Sequence, residues 1–307
     1  MAAAAGGQFE ARSHGVLDLG WRRGPATVQL LTDTLDGRLE HRWAHGRAEA
    51  GLRVAAFAAG LWITPWTDGV PDPARAQIAT YVGPDGRLER WLGGGAYVAA
   101  TGWAHYHWFH PLGDATLAVA DRPWLRGDGV VGWWRPEVEA SLTAGVDATV
   151  PDEARVSPHL LAHLDWHPAW RIAPAVAGWA VWADHTDDVV ATRVGGLTPY
   201  HVPLAGAAWA EWWVEDLVGG EGAAVVRPSE AVEARLLVDA VAATPPERTA
   251  IPDPAPVRAV GIGARTRWTR DRWFVEAAVG VAPGLRPSGP AAAAWLLAGS
   301  AWRPLGR

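Results

Sequence analysis

The rhythm of apolar and polar positions changes part-way along the chain. In the first half, short runs at 26–32, 38–43, 52–64, 87–92, 96–109 and 115–120 are bounded by Asp-Gly, Gly-Gly or proline. Short apolar runs between such turn residues read as strands, because glycine and proline interrupt regular pairing at their ends. Two runs share a sequence: Asp36-Gly37-Arg38-Leu39-Glu40 leads to Trp43, and Asp85-Gly86-Arg87-Leu88-Glu89 leads to Trp91. Asp-Gly supplies the positive φ angles of a tight turn, so the pair predicts two hairpins of one design. A repeat of propeller-blade length is the sharper alternative, but the later chain offers no further copies.

From the middle onward the spacing turns helical. Helices are expected at 74–81 and 136–144, and at 159–166, where Ser157 caps and Pro158 opens the first turn. Residues 204–218 place Ala208, Trp212 and Leu217 on one side and stop at Gly219. Residues 229–243 give the clearest helical pattern. Ser229 caps it, Val232, Leu236, Leu237, Ala240 and Val241 form a stripe, and Arg235 and Asp239 pair one turn apart. Strands are expected at 179–184 and 188–194. The five prolines within 244–256 mark an extended linker, followed by a hairpin from 257–268 and 272–281 and a short helix at 291–297. The expected fold class is therefore α+β, mostly antiparallel sheet. A strand-rich domain over 1–150 precedes a mixed α/β region over 151–307.

Composition narrows the chemistry. The 307 residues include no lysine, asparagine or cysteine. Disulfides, thiolate nucleophiles, Cys-ligated metal sites and lysine Schiff bases are thereby excluded. The six serines never stand in a G-x-S-x-G elbow. The pair Gly261 and Gly263 follows a strand but meets Thr266 where a dinucleotide fingerprint needs a third glycine. Residues with AT-rich codons are scarce while tryptophan reaches 21, the mark of a GC-rich genome. A formal charge of −6 gives no general attraction to nucleic acid. The longest apolar stretch, 54–63, is too short for a membrane-spanning helix, and residues 1–14 lack the pattern of a secretory signal. A cytoplasmic protein without membrane contact is the expectation.

Three constellations stand out. His105 and His107 share one strand face at period two, and His159 and His163 share one helix face at a spacing of four. Together they are candidate ligands of one divalent metal ion. Arg265, Arg267, Trp268, Arg270 and Arg272 interleave cations with an indole, a pattern suited to phosphate and base stacking or to cation–π contacts within a hairpin. The doublets Trp133-Trp134 and Trp212-Trp213 must each leave one indole outside a single-sided core, which marks a contact surface. The leading reading is a non-catalytic binding or assembly protein that meets a protein or small-molecule partner through tryptophan. The alternative is a His-ligated mononuclear metal enzyme of hydrolytic or oxygen chemistry.

Overall fold

The computed structural model describes residues 6–21, 27–45, 48–63, 66–67, 70–71, 74, 77–111, 116, 120–150, 155–184, 192–195, 202–207, 212–244, 257–270, 273–286 and 289–302. Its strands are β1 (Gly6–Trp21), β2 (Thr27–His45), β3 (Ala48–Ile63), β4 (Trp66–Thr67), β5 (Val70–Pro71), β6 (Gln77–Gly93), β7 (Ala96–Pro111), β8 (Arg122–Arg135) and β9 (Val138–Thr149). They continue with β10 (Arg155–Trp166), β11 (Ile172–Ala183), β12 (Thr192–Val194), β13 (Trp212–Val214), β14 (Asp216–Ser229), β15 (Val232–Thr244), β16 (Val257–Arg270), β17 (Trp273–Arg286) and β18 (Gly289–Trp302).

Fourteen of these form one closed antiparallel barrel, in the order β1-β18-β17-β16-β15-β14-β11-β10-β9-β8-β7-β6-β3-β2. Pairing of β1 with β18, from Ala11 opposite Trp302 to Trp21 opposite Ala292, completes the ring. Closure leaves no unpaired edge in the ring, so each of its fourteen strands finds backbone partners on both sides. The two ends differ. At one end β2–β3, β6–β7, β8–β9, β14–β15 and β16–β17 are joined by two residues each, and β10–β11 by 167–171. At the other, the connections include 64–76, 112–121, 184–215 and 245–256. Between β6 and β7 the turn is made by Gly94 and Gly95, with φ of 64° and 93°, values that a two-residue hairpin turn demands and glycine tolerates.

The α+β expectation is corrected to all-β: no α-helix occurs among the described residues. The segments expected as helices at 159–166, 229–243 and 291–297 lie in β10, β15 and β18. Residues 136–144 form a turn and the start of β9, and in 74–81 the described residues 77–81 begin β6. In 204–218 the described residues belong to short bridges, β13 and the beginning of β14. Asp36-Gly37 and Asp85-Gly86 stand inside β2 and β6, so they are not hairpin turns. Of the linker expected over 244–256, Thr244 ends β15 and 245–256 lie outside the described residues.

What distinguishes this barrel is that its burial pattern is inverted. Along β15, Glu233, Arg235, Asp239 and Val241 face inward while Leu236 (68% exposed) and Val238 (48% exposed) face outward. The same alternation puts Leu125 and Val131 of β8, Leu142 and Val146 of β9, and Val260 and Ile262 of β16 on the outside. Meanwhile Asp85, His105, Arg122, Asp147, His159, Glu221, Asp239 and Glu276 are buried inside. An outer wall of this kind is costly in water and suited to hydrocarbon.

Exposed aromatic residues gather toward the two rims. Trp133, Trp268 and Trp273 lie near the short-turn end, and Tyr106 and Trp182 toward the long-connection end. Ile172 and Trp182, both outward on β11, are ten residues apart. At about 3.3 Å per residue and a tilt of about 40°, that separation spans about 25 Å, the height of a lipid-facing band.

Candidate lumenal pathway

Two charged networks line opposite parts of the inner wall. The first is built on β6 to β10. Register brings Asp128 of β8, Gly145 of β9 and His159 of β10 into one row. A Cβ at Gly145 would overlap the Asp128 carboxylate and the His159 ring, so the glycine lets the two side chains meet across the intervening strand. His159 Nε2 bonds Asp128 Oδ1 at 2.8 Å, while its Nδ1 faces Asp147 Oδ2 at 2.8 Å. Arg126 Nε donates to Asp128 Oδ2 at 2.9 Å, and Trp124 Nε1 donates to Asp147 Oδ1 at 2.7 Å. Arg126 also sits 4.9 Å from the Trp103 ring centre. Each buried carboxylate is thus met by a cation and by further donors, the condition for holding charge away from water.

Beside this lies an aromatic and imidazole stack. His105 Nε2 is paired with Asp85, and Tyr81 stacks on both His105 (4.7 Å between centres) and His107 (5.0 Å). His107 Nε2 is buried without a hydrogen-bond partner.

The second network crosses β14 to β17. Arg227 and Arg235 grip Glu233 at 2.9 and 2.6 Å. Arg235 and Arg265 both reach Glu221 at 3.4 Å, and Arg267 lies 3.6 Å from Glu276. Arg227 also donates to the carbonyls of Pro168 and Trp170, tying the network to the β10–β11 turn. The result is an alternating ladder of charge along one side of the lumen.

The third component is the connection 184–215. Its described residues Val194, Val202, Leu204, Ala207 and Val214 form a single buried cluster with inward-facing Val181, Leu217, Val241, Ala243, Ala259, Ala282 and Ala291. These described residues of the connection therefore lie inside the lumen against β11 and β14 to β18. The turn at Ala205 and Gly206 is seated on glycine: a Cβ at Gly261, Gly263 or Gly280 would crowd Ala205 or Gly206. Ala205 N donates to Asp239 Oδ2 at 2.7 Å. Gly261 and Gly263, which failed as a dinucleotide fingerprint, serve as a floor for this contact.

The residues singled out from sequence are dispersed by the barrel. His105 and His107 do share one inward face of β7, and His159 and His163 one inward face of β10. His163 is half-buried, its ring 6.2 Å from that of Trp179. Among the described residues no group of three or more His, Asp or Glu side chains is placed to hold a metal ion. Arg265 and Arg267 face the lumen, Trp268 faces outward, Arg270 is exposed at the end of β16, and Arg272 lies outside the described residues. Trp133 faces outward, donating from Nε1 to Gly94 O at 2.9 Å beneath Arg135, whereas Trp134 meets Trp91 at the short-turn mouth. Trp212 packs on the cluster of the inserted segment, and the Trp213 side chain is outside the described set. Of the charged residues that organise the lumen, Arg126, Asp128, Asp147, Glu221 and Glu276 were not anticipated, and Arg235 and Asp239 were expected only as a pair on a helix. Their signal was charge at alternate positions against Ala, Val and Leu at the positions between.

No protein-family model and no curated protein sequence matches the chain. In structure, 96% of the chain aligns with 60% of CdiB from Acinetobacter baumannii, at a TM-score of 0.58 and 10% identity. For BamA from Haemophilus ducreyi lacking POTRA domains 1-3, 98% of the chain aligns with 71% of that protein, at a TM-score of 0.64 and 10% identity. The chain thus spans only part of either relative, and at this identity the likeness is one of fold. Together with the apolar outer wall, it overturns the cytoplasmic, membrane-free placement. The soluble tryptophan-surface binder and the metal enzyme are set aside with it, since the exposed indoles lie toward the rims of an apolar outer band and the histidines line a charged lumen. The fold of this chain is that of the outer-membrane β-barrels.

Proposed function

We propose that the chain spans an outer membrane and passes small polar solutes or ions along a charge-lined lumen narrowed by the 184–215 segment. The observation that carries this reading is the inversion itself: ion-paired Arg, Asp, Glu and His inside, and Leu, Val, Ile and Ala outside. A closed barrel with such walls satisfies its backbone internally and offers lipid an apolar surface. The lumenal charges offer a permeating solute polar partners in place of its water shell. The seated segment occupies part of the cross-section, so the path favours small solutes.

Purified protein reconstituted in planar bilayers and vesicles tests this. Discrete conductance steps in potassium chloride, and vesicle swelling that falls off with solute size, are expected. Barrel that inserts in a protease-resistant form yet stays electrically silent, in vesicles closed to the smallest solutes, would overturn it.

A further inference from the structure

The outer wall carries a cleft of about 410 Å³ that the pathway does not use. It is lined by Leu160, Ala162, Ala180, Trp182, Val218 and Ala242, with Arg258 at one edge. Register explains its course. Ala162 of β10, Ala180 of β11, Val218 of β14, Ala242 of β15 and Arg258 of β16 occupy a single outward-facing row. Barrel strands tilt, so a row of this kind climbs the wall obliquely. Arg258 is the second residue of β16 at the long-connection rim, whereas Ala162 lies well inside β10. Alanine at three of the five positions leaves a furrow descending from the rim into the apolar band, with Val218 (66% exposed) between Ala180 and Ala242 and with Leu160 and the exposed Trp182 indole on its flanks.

Arg258 has no ion-pair or hydrogen-bond partner among the described residues, although it is a permanent cation on a face otherwise given to lipid. Such a charge is tolerated at the rim, where it reaches the headgroup layer. Asp216, the other charged residue of the cleft, is tied through Oδ1 to the Ala183 backbone N–H at 3.3 Å. It stands two strands away from Arg258.

We infer that this furrow holds one anionic, phosphate-headed membrane lipid, an acyl chain lying along Ala242, Ala180 and Ala162 and the phosphate meeting Arg258. The occupant follows from charge and geometry: a cation unpaired among the described residues, set at the rim, and an apolar furrow leading down from it match a headgroup above a chain. The inference rests on the membrane-spanning reading.

Native mass spectrometry of detergent-purified barrel with dioleoylphosphatidylglycerol or dioleoylphosphatidylcholine tests it. One phosphatidylglycerol should be retained at activation energies that strip phosphatidylcholine. Arg258→Gln should weaken that retention about tenfold, the loss of one charge-assisted contact. Asp216→Asn, which removes the one competing anion of the cleft, should strengthen it. Ala180→Leu should weaken it by filling the furrow, and Arg258→Gln decides the matter should that variant fail to fold. Equal retention of both lipids, or retention untouched by Arg258→Gln, overturns the site. Vesicle insertion measured on the same samples separates that result from a failure of the membrane-spanning reading.

Discussion

The backbone N–H of Ala205 donates to Asp239 Oδ2 at 2.7 Å and ties the inserted segment to the wall about halfway along β15. Around this bond the wall is kept flat by Gly261, Gly263 and Gly280, so the segment approaches more closely than side chains would permit. Asp239 is 1% exposed and its Oδ1 has no partner, which leaves Ala205 as its one hydrogen-bonded contact.

Loss of that acceptor should loosen the constriction. Asp239→Leu leaves the Ala205 N–H unsatisfied at a cost of about 1–3 kcal/mol. Single-channel recordings should then show a larger and noisier conductance. Asp239→Asn keeps an acceptor oxygen and should stay close to the parent. Identical traces for Asp239→Leu and the parent would show that apolar packing alone seats the segment.

The row Asp128, Gly145 and His159 gives a second test. Gly145→Val forces a side chain between the carboxylate and the imidazole, an overpacking that costs about 1–3 kcal/mol. Its urea midpoint in lipid vesicles should fall. Gly127→Ala, where an added Cβ meets nothing within 4 Å, should leave the midpoint unchanged.

Part of this architecture was legible in the sequence and part was not, for a reason visible in β15. Arg235 and Asp239 are four residues apart, and four is both close to one helical turn and an even number. Such a pair shares a face in a helix and in a strand alike. His159 and His163 carry the same ambiguity, so their spacing did not contradict the helix expected from Ser157 and Pro158. β15 also mixes Ala240 and Ala242 into its outward face and Leu237 and Val241 into its inward face, which blunts the alternation. The runs at 87–92 and 96–109 and the pairing of β16 with β17 were readable because glycine or charged turns bound them. The charge networks were not, since they join residues such as Asp128 and His159 that only barrel register brings together.

Ion selectivity should respond to the ladder on β14 to β17. Glu221 is shared by Arg235 and Arg265, each at 3.4 Å. Glu221→Gln removes one negative charge and leaves both guanidinium groups undercompensated. The reversal potential in a tenfold potassium chloride gradient should move toward anion preference. A shift toward cations would contradict the assignment of these residues to the conducting path.

The outer wall should show a depth-dependent sensitivity to charge. Val238 lies outward at the middle of β15 and Val275 outward near the short-turn end of β17. Arginine at mid-membrane costs about 2–4 kcal/mol and near an interface about 0–1 kcal/mol. Val238→Arg should therefore lower stability in vesicles clearly more than Val275→Arg. Equal penalties would place both residues outside a lipid slab.

The orientation of the wall can be read directly because the chain contains no cysteine. Spin labels on single cysteines placed in turn at Ser141, Leu142, Thr143, Ala144 and Val146 of β9 report their surroundings in reconstituted vesicles. Accessibility to oxygen should dominate at 142, 144 and 146, and accessibility to a water-soluble nickel complex at 141 and 143. A flat profile, or the opposite alternation, would contradict a barrel whose apolar face is turned to lipid.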